Sequence, residues 1–192
     1  VPTGAGVSRA HRRCAVRGNI ARHRAIAAAG ETYVGQDDGY VYGLVPKSVA
    51  AAMTGRELLQ AVVDARLPQP PIAQTLSFHL AEVGDGFAAF EGDPAPHLLN
   101  PWGAVHGGWA LTLIDSAAAC AAQTTLPAGV GCTTIETKGN FSRPITVDTG
   151  RLRAEARVVA KGRQIISCEA WVRARDGRIL AHGTATLMAI EG

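Results

Sequence analysis

A chain of 192 residues, 47% hydrophobic and with a formal charge of +3, has the size of one globular domain with a short appendage. No uncharged apolar run reaches the roughly 18 residues of a membrane span, and no secretory apolar segment stands at the N-terminus. The positive charge is local: residues 1–52 hold seven Lys and Arg against three Asp and Glu, and the rest holds twelve against thirteen, which excludes a basic nucleic-acid face on the main domain.

The first thirty residues contain six arginines and no acid. Residues 1–52 read as a weakly ordered extension, in which "ETYVGQDDGYVYGLV" can add a marginal strand or hairpin. An organelle transit peptide would explain the arginines; translated sequence upstream of a true start at Met53 explains the head better. "TGRELLQAVVDARL" is the first amphipathic helix, with Leu58, Leu59, Val62 and Val63 on one face and Thr54 as N-cap. "LPQPPIAQTL" is a proline-stiffened connector. "LSFHLAEVGDGFAAFEGD" predicts a hairpin turning at Asp85-Gly86. "HLLNPWGAV" is a loop, and an Ala-rich helix runs from Gly107 to about Thr124.

Beyond "LPAGVG" the period becomes two. "TTIETKGNF", "RLRAEARVV", "QIISCEAWVRA" and "ILAHGTATLMAI" predict strands separated by "SRPI", "KGR" and "RDGR". Arg151, Arg153, Glu155 and Arg157 share one face, and Leu152, Ala154, Ala156 and Val158 the other. Such a sheet is antiparallel and covered on one side. The Gly107 helix is the only long element available to cover it. The expected fold class is α+β, an antiparallel sheet wrapped around one central helix, over residues 53–192.

The four cysteines (Cys14, Cys120, Cys132, Cys168) form no CxxC and no zinc spacing, so no metal is expected. Cys120 and Cys168 lie in apolar patterns and read as reduced core residues, which fits a cytoplasmic protein.

The chemistry-bearing pattern is Asn100, five residues, His106-Gly107-Gly108, six residues, Asp115. Singly each has an ordinary reading: a turn before Pro101, a helix cap, a tight loop-to-helix passage, an acid at the edge of an apolar face. Together they ask for more. A helix that begins at glycine offers free N–H groups and the positive end of its dipole. With no side chain at Gly107, a carbonyl can approach that N–H as at an oxyanion site. Asp115, beside Ile114 and a run of alanines, is a poorly solvated carboxylate suited to act as base or nucleophile. These parts can hydrolyse an acyl compound, and no GxSxG signals a serine nucleophile.

"LNPWGAVHGGWALTLIDSAAACA", followed by "TTIETKGNFSRPI" and "GRLRAEARVVAKGRQIISCEAWVRARDGRILAHGTATL", closely resembles the PaaI-type hotdog-fold acyl-CoA thioesterases of the 4-hydroxybenzoyl-CoA thioesterase superfamily, from about Gly55 to Ile190. The resemblance implies a curved antiparallel sheet around one long helix. It implies that the Gly107 N–H polarises the thioester carbonyl, that Asn100 and His106 place the carbonyl or a water, and that Asp115 is nucleophile or general base. A hydroxyl on the following strand assists, with Thr134 the best match and Thr133 one residue away. Gly108, Arg143 and the turn Lys161, Gly162, Arg163 are expected toward the CoA part, although the charges also read as solvated turn residues. Trp109 either narrows the acyl pocket or fills the core. The expected substrate is an acyl- or arylacyl-CoA. CoA is part of that substrate, and no further cofactor, nucleic acid or membrane partner is expected.

One chain cannot complete this site. Gly107 and Asp115 stand eight residues apart, roughly 12 Å along a helix, whereas a reacting carbonyl lies within about 3 to 3.5 Å of attacker and oxyanion donor alike. Two antiparallel helices about a two-fold axis bring the acid of one to the N-terminus of the other. A homodimer is therefore the expected minimum, and a dimer of dimers is expected by resemblance. The competing readings are a hotdog dehydratase or hydratase, whose proline-rich loop is replaced here by HGG, and a non-catalytic acyl-CoA-binding module, against which Asp115 argues.

Overall fold

The computed structural model describes residues 32–34 and 40–191. In chain order these form β1 (Thr32–Val34), β2 (Val41–Gly43), α1 (Lys47–Ala51), α2 (Gly55–Val63), α3 (Pro71–Thr75), β3 (Phe78–Gly84), β4 (Phe87–Gly92), α4 (Gly107–Gln123), β5 (Val130–Phe141), β6 (Leu152–Lys161), β7 (Ile165–Arg173) and β8 (Ile179–Glu191). Six strands make one antiparallel sheet in the order β3-β4-β6-β7-β8-β5, and β1 and β2 make a separate antiparallel pair.

The long helix α4 lies against the inner face of the sheet. Trp109, Ala110, Leu113, Ile114, Ala117, Ala118, Ala121 and Ala122 are its buried residues. They recur in pairs every four positions and form one apolar stripe. Five of the eight are alanine, so the helix backbone can approach Ala154, Ala156, Ala170 and Ala185 of the sheet, all buried. Asp115 stands at the edge of this stripe and is half-buried. Trp109 is 4% exposed; its Nε1–H donates to the Leu76 carbonyl at 2.7 Å, and a Cβ on Gly92 would lie 2.9 Å from its ring. It fills the core and pins the end of α3.

The connector before β3 is more structured than its prolines suggested. Pro71 opens α3, where a missing N–H costs nothing. Gln69 is 2% exposed and lies along β3 as a surrogate strand: Oε1 accepts from Leu80 N–H at 2.9 Å, and Nε2 donates to the Leu80 carbonyl at 3.2 Å. At α2 the expected cap is present as a full capping box between Thr54 and Glu57.

The expected boundary at residue 53 falls inside packed structure. Tyr42 is 2% exposed in the core, Gly43 N–H donates to the Gln69 carbonyl, and Gln69 N–H donates to the Val41 carbonyl. Tyr40 stacks on His79 with ring centroids 4.6 Å apart. Residues 40–52 therefore belong to the packed body. The rest of the arginine-rich head, apart from β1, lies outside the described residues. No helix among those described is long and apolar enough to cross a membrane.

Candidate active site

The site begins with how α4 is capped. His106 is the N-cap, and its Nδ1 accepts from Gly108 N–H at 2.9 Å. The imidazole therefore carries its proton on Nε2, which the exposed ring offers to solvent or substrate. A Cβ on Gly108 would lie 3.0 Å from that Nδ1, so the second glycine makes room for the cap. The Gly108 N–H is thus taken up by the cap. Trp109 N–H turns back to the His106 carbonyl. The Gly107 N–H, first in the helix, has no acceptor among the described residues, as the geometry of a helix start allows.

Gly107 opens into a cavity of about 340 Å³, where it is joined by Asn100, Ala110, Phe141, Arg143 and Ile145 among the lining residues. A Cβ on Gly107 would lie 3.3 Å from the Phe141 ring. Asn100 shapes the loop before the helix. Its Oδ1 accepts from Trp102 N–H at 3.0 Å and Ala104 N–H at 3.2 Å, while its side-chain amide has no partner among the described residues. Trp102, held out by this loop, is 87% exposed. Arg143 reaches back to the Ile179 carbonyl at 3.1 Å. The structure thus brings Gly107, Asn100 and Arg143 together on one cavity at the N-terminal end of α4, with His106 beside it as the exposed N-cap and not among the lining residues.

Asp115 sits two turns further along the helix. Among the described residues its carboxylate forms no ion pair, and its one hydrogen bond comes from Thr137 Oγ1 to Oδ1 at 2.8 Å. The hydroxyl that bonds Asp115 within the chain is that of Thr137, three residues beyond Thr134, which the resemblance names as the assisting hydroxyl. A β-bulge between Thr134 and Glu136 inserts Ile135 into β5. Before it Cys132 and Thr134 pair with the inward Ala189 and Leu187; after it Thr137 and Gly139 pair with Ala185 and Gly183. Plain alternation from Thr134 would point Thr137 outward, and the bulge reverses it. The signal was present in the sequence: the charged Glu136 and Lys138 fall on even positions, which upstream held the half-buried Cys132.

Lys161, Gly162 and Arg163 lie at the other end of α4. Lys161 Nζ donates to the Thr125 carbonyl just past the helix C-terminus, and Gly162 N–H closes the turn on Ile165. Within one chain this turn is not brought to Gly107 and Arg143. A cation at helical carbonyls has a structural role of its own.

Among the described residues no thiol is prepared for attack. Burial pushes Cys120 up to about 12, with Cys132 and then the Asp115 charge adding to the shift. Cys132 is pushed up to about 11 by burial and then by Asp115, and Cys168 to about 11 by burial and then by Cys132. All three are free. The described residues contain no group of three or more His, Cys, Asp or Glu able to hold a metal ion.

A family model described as the thioesterase superfamily matches residues 103–181, which include all of α4 and β5. No curated protein matches the chain. Among solved structures, a thioesterase family protein from Silicibacter pomeroyi is 31% identical with a TM-score of 0.61, over 70% of this chain and 99% of that one. A putative thioesterase from Ralstonia eutropha, described as phenylacetic acid degradation-related, is 29% identical with a TM-score of 0.61, over 68% and 98%. A mutant of the phenylacetic acid degradation protein PaaI from Thermus thermophilus is 26% identical with a TM-score of 0.56, over 62% and 97%.

Proposed function

The chain belongs to the thioesterase superfamily, with the PaaI-type hotdog fold, and we propose that it hydrolyses acyl-CoA thioesters at sites built by two copies of the chain. One observation carries the reading. An N–H at the start of α4 without a partner among the described residues opens on a largely apolar cavity, and the same helix holds, two turns away, a carboxylate that no cation among the described residues neutralises.

In the proposed reaction the thioester carbonyl accepts the Gly107 N–H, with His106 Nε2–H and the Asn100 amide as the remaining donors at that end. Asp115 of the partner subunit takes a proton from water as the oxygen adds to the carbonyl carbon, or attacks that carbon itself. Negative charge grows on the carbonyl oxygen, where the helix N-terminus stabilises it. The C–S bond then breaks. On the water route the proton held by Asp115 passes to the departing sulfur, so that CoA leaves as the thiol and the acid is released. On the nucleophilic route water then cleaves the acyl–Asp115 anhydride, which restores the carboxylate, supplies the proton to the thiolate and releases the acid. Thr137 fixes one carboxylate oxygen and leaves the other for the chemistry. Arg143, beside the cavity, suits the anionic CoA portion; the Lys161–Arg163 turn can contribute only from another subunit. The proposed reaction calls for no cofactor, and a cytoplasmic setting fits the free thiols of the described residues, two half-buried and one buried.

The experiment is thiol release measured over a panel of short, medium-chain and aromatic acyl-CoAs. Release of CoA from at least one, abolished in Asp115→Asn, supports the proposal. A folded protein that binds acyl-CoA and releases no thiol would make it a binding module, and hydration of an enoyl thioester without release would make it a lyase.

A further inference from the structure

A second cavity, of about 610 Å³, lies beside the β7–β8 turn and is larger than the one at Gly107. Four arginines line it, Arg151, Arg153, Arg173 and Arg175, against a single acid, Glu91. The strand register accounts for the crowding. Leu152 and Ala154 are buried toward α4, which turns Arg153 to the outer face of the sheet. Glu91 of β4 pairs with Arg153 of β6, and Arg153 pairs with Arg173 of β7. Opposed residues share a face, so these three form one row across three strands. Arg153 and Arg173 are then like charges directly opposite, an arrangement that by itself destabilises a sheet.

The acids at this end of the sheet are already engaged. Arg151 donates to Asp93 at 2.7 and 2.9 Å and to Glu91 at 3.3 Å. Arg153 donates to Glu155 at 2.7 Å and to Glu82. Asp176, in the β7–β8 turn, is held by Arg178 at 2.6 Å. Among the described residues Arg173 has only the Gly177 carbonyl, at 3.4 Å, and Arg175 has no ion pair or hydrogen bond. Carboxylates thus fix two arginines as a wall, and two more stand beside them with donors to spare.

We propose that this cavity is a second anion site, separate from the one at Gly107, and that it takes the diphosphate group of a nucleotide. A guanidinium presents a planar fork of donors that matches two oxygens of one phosphate. The two forks with donors to spare, at Arg173 and Arg175, answer to two linked phosphates. The volume falls within the ordinary range of small-molecule sites, so a nucleoside has room beside its phosphates. A bound anion also offsets the repulsion between Arg153 and Arg173. The site adjoins the catalytic one through a single segment. Arg173, Arg175 and Gly177 line the anion cavity, and Leu180 lines the cavity at Gly107. Between them the Ile179 carbonyl accepts from the Arg143 guanidinium at 3.1 Å. The diphosphate has two sources, a free nucleotide acting as effector or the nucleotide end of a CoA substrate. Only the second rests on the proposed hydrolysis.

Calorimetric titration of the full chain with inorganic pyrophosphate and with ADP tests the site without reference to turnover. Both should bind at about 0.15 M salt, where exposed charges are screened beyond about 8 Å. Arg173→Ala/Arg175→Ala should weaken both by at least about tenfold. Arg143→Ala, at the other cavity, should bind as the unsubstituted chain does. So should Arg56→Ala/Arg66→Ala, which removes the same charge beside α2. No binding to the unsubstituted chain, undiminished binding by Arg173→Ala/Arg175→Ala, or an equal loss in either control overturns the proposal. Kinetics then identify the source. A KM raised for an acyl-CoA and unchanged for the matching acyl-pantetheine assigns the diphosphate to the substrate. A KM raised for neither assigns it to a free nucleotide, and an equal rise for both overturns the diphosphate reading. A chain that releases no thiol loses only the substrate as a source, and the titrations still decide the site.

Discussion

At one edge of the sheet, β3 is covered by its own chain. Gln69 mimics a neighbouring strand at Leu80, β2 holds Gln69 in place, and Tyr40 stacks on His79. At the other edge β5 carries Thr137, Gly139 and Phe141 with no strand beyond it in the described chain. The first edge uses a buried amide and an aromatic residue from outside the sheet, as a finished edge does. The second holds the residues closest to Asp115 and Gly107. The chain completes the edge that carries no chemistry and leaves open the one that does, which is the arrangement expected when the site is completed by a second copy.

The contrast can be broken most severely at Asp115. Asp115→Asn is nearly isosteric and should leave fold and dimer intact while lowering kcat by about 100-fold or more, the scale of acid–base catalysis. Near-normal thiol release from a soluble variant would remove Asp115 from the chemistry. The bulge supplies a finer test. Thr137→Val loses the hydroxyl that bonds the carboxylate and should lower kcat roughly tenfold. Thr134→Val, on the other side of Ile135, should stay within about twofold of the unsubstituted enzyme. The reverse ranking in steady-state kinetics would restore the assignment made from the sequence.

The closed edge predicts an effect on stability. A chain that starts at Met53 loses Tyr42 from the core and the two backbone bonds between β2 and Gln69. It should unfold at lower urea, by at least about 2 kcal/mol from the lost aromatic burial. A chain that starts at Thr32, and so keeps both β1 and β2, should keep its midpoint. Equal stability of the two would mean that β2 and Tyr42 cover the β3 side without supporting it.

The smallest effect is alkaline. Cys120, Cys132 and Cys168 are held neutral, with values raised to about 12, 11 and 11 from an ordinary 9. Above pH 9 the unfolded chain loses thiol protons that the folded chain keeps, so unfolding becomes more favourable with each step up to about 11. Stability from these groups is complete below pH 9. The thermal midpoint should fall between pH 9 and 10.5, and replacement of all three by alanine should flatten that fall.

The sequence disclosed whatever obeys a regular period. The buried pairs of α4 and the alternation of β6 and β7 gave the helix and the sheet with ends close to those observed. The spacing from Asn100 to Asp115 gave the two ends of the site. What it hid depended on irregularity or on distant partners. Thr137 was masked because one inserted residue, Ile135, reverses the face of everything after it. Tyr42 and Gln69 sit in segments rich in Gly and Pro, and their burial depends on each other and on Leu80, which no local pattern records. Trp109 could be read two ways until Gly92 was found beneath its ring.

The central claim is that each site takes Asp115 from one subunit and the Gly107–His106 end from the other. Mixed dimers test it most directly. One chain carries Asp115→Ala and the other His106→Ala, and each alone must be nearly inactive. After subunit exchange at equal amounts, about half the dimers are mixed, and each mixed dimer holds one site with neither substitution. About a quarter of the unsubstituted activity should return. Confirmed exchange with activity no higher than that of the separate variants would place both residues in one subunit's site and contradict the account.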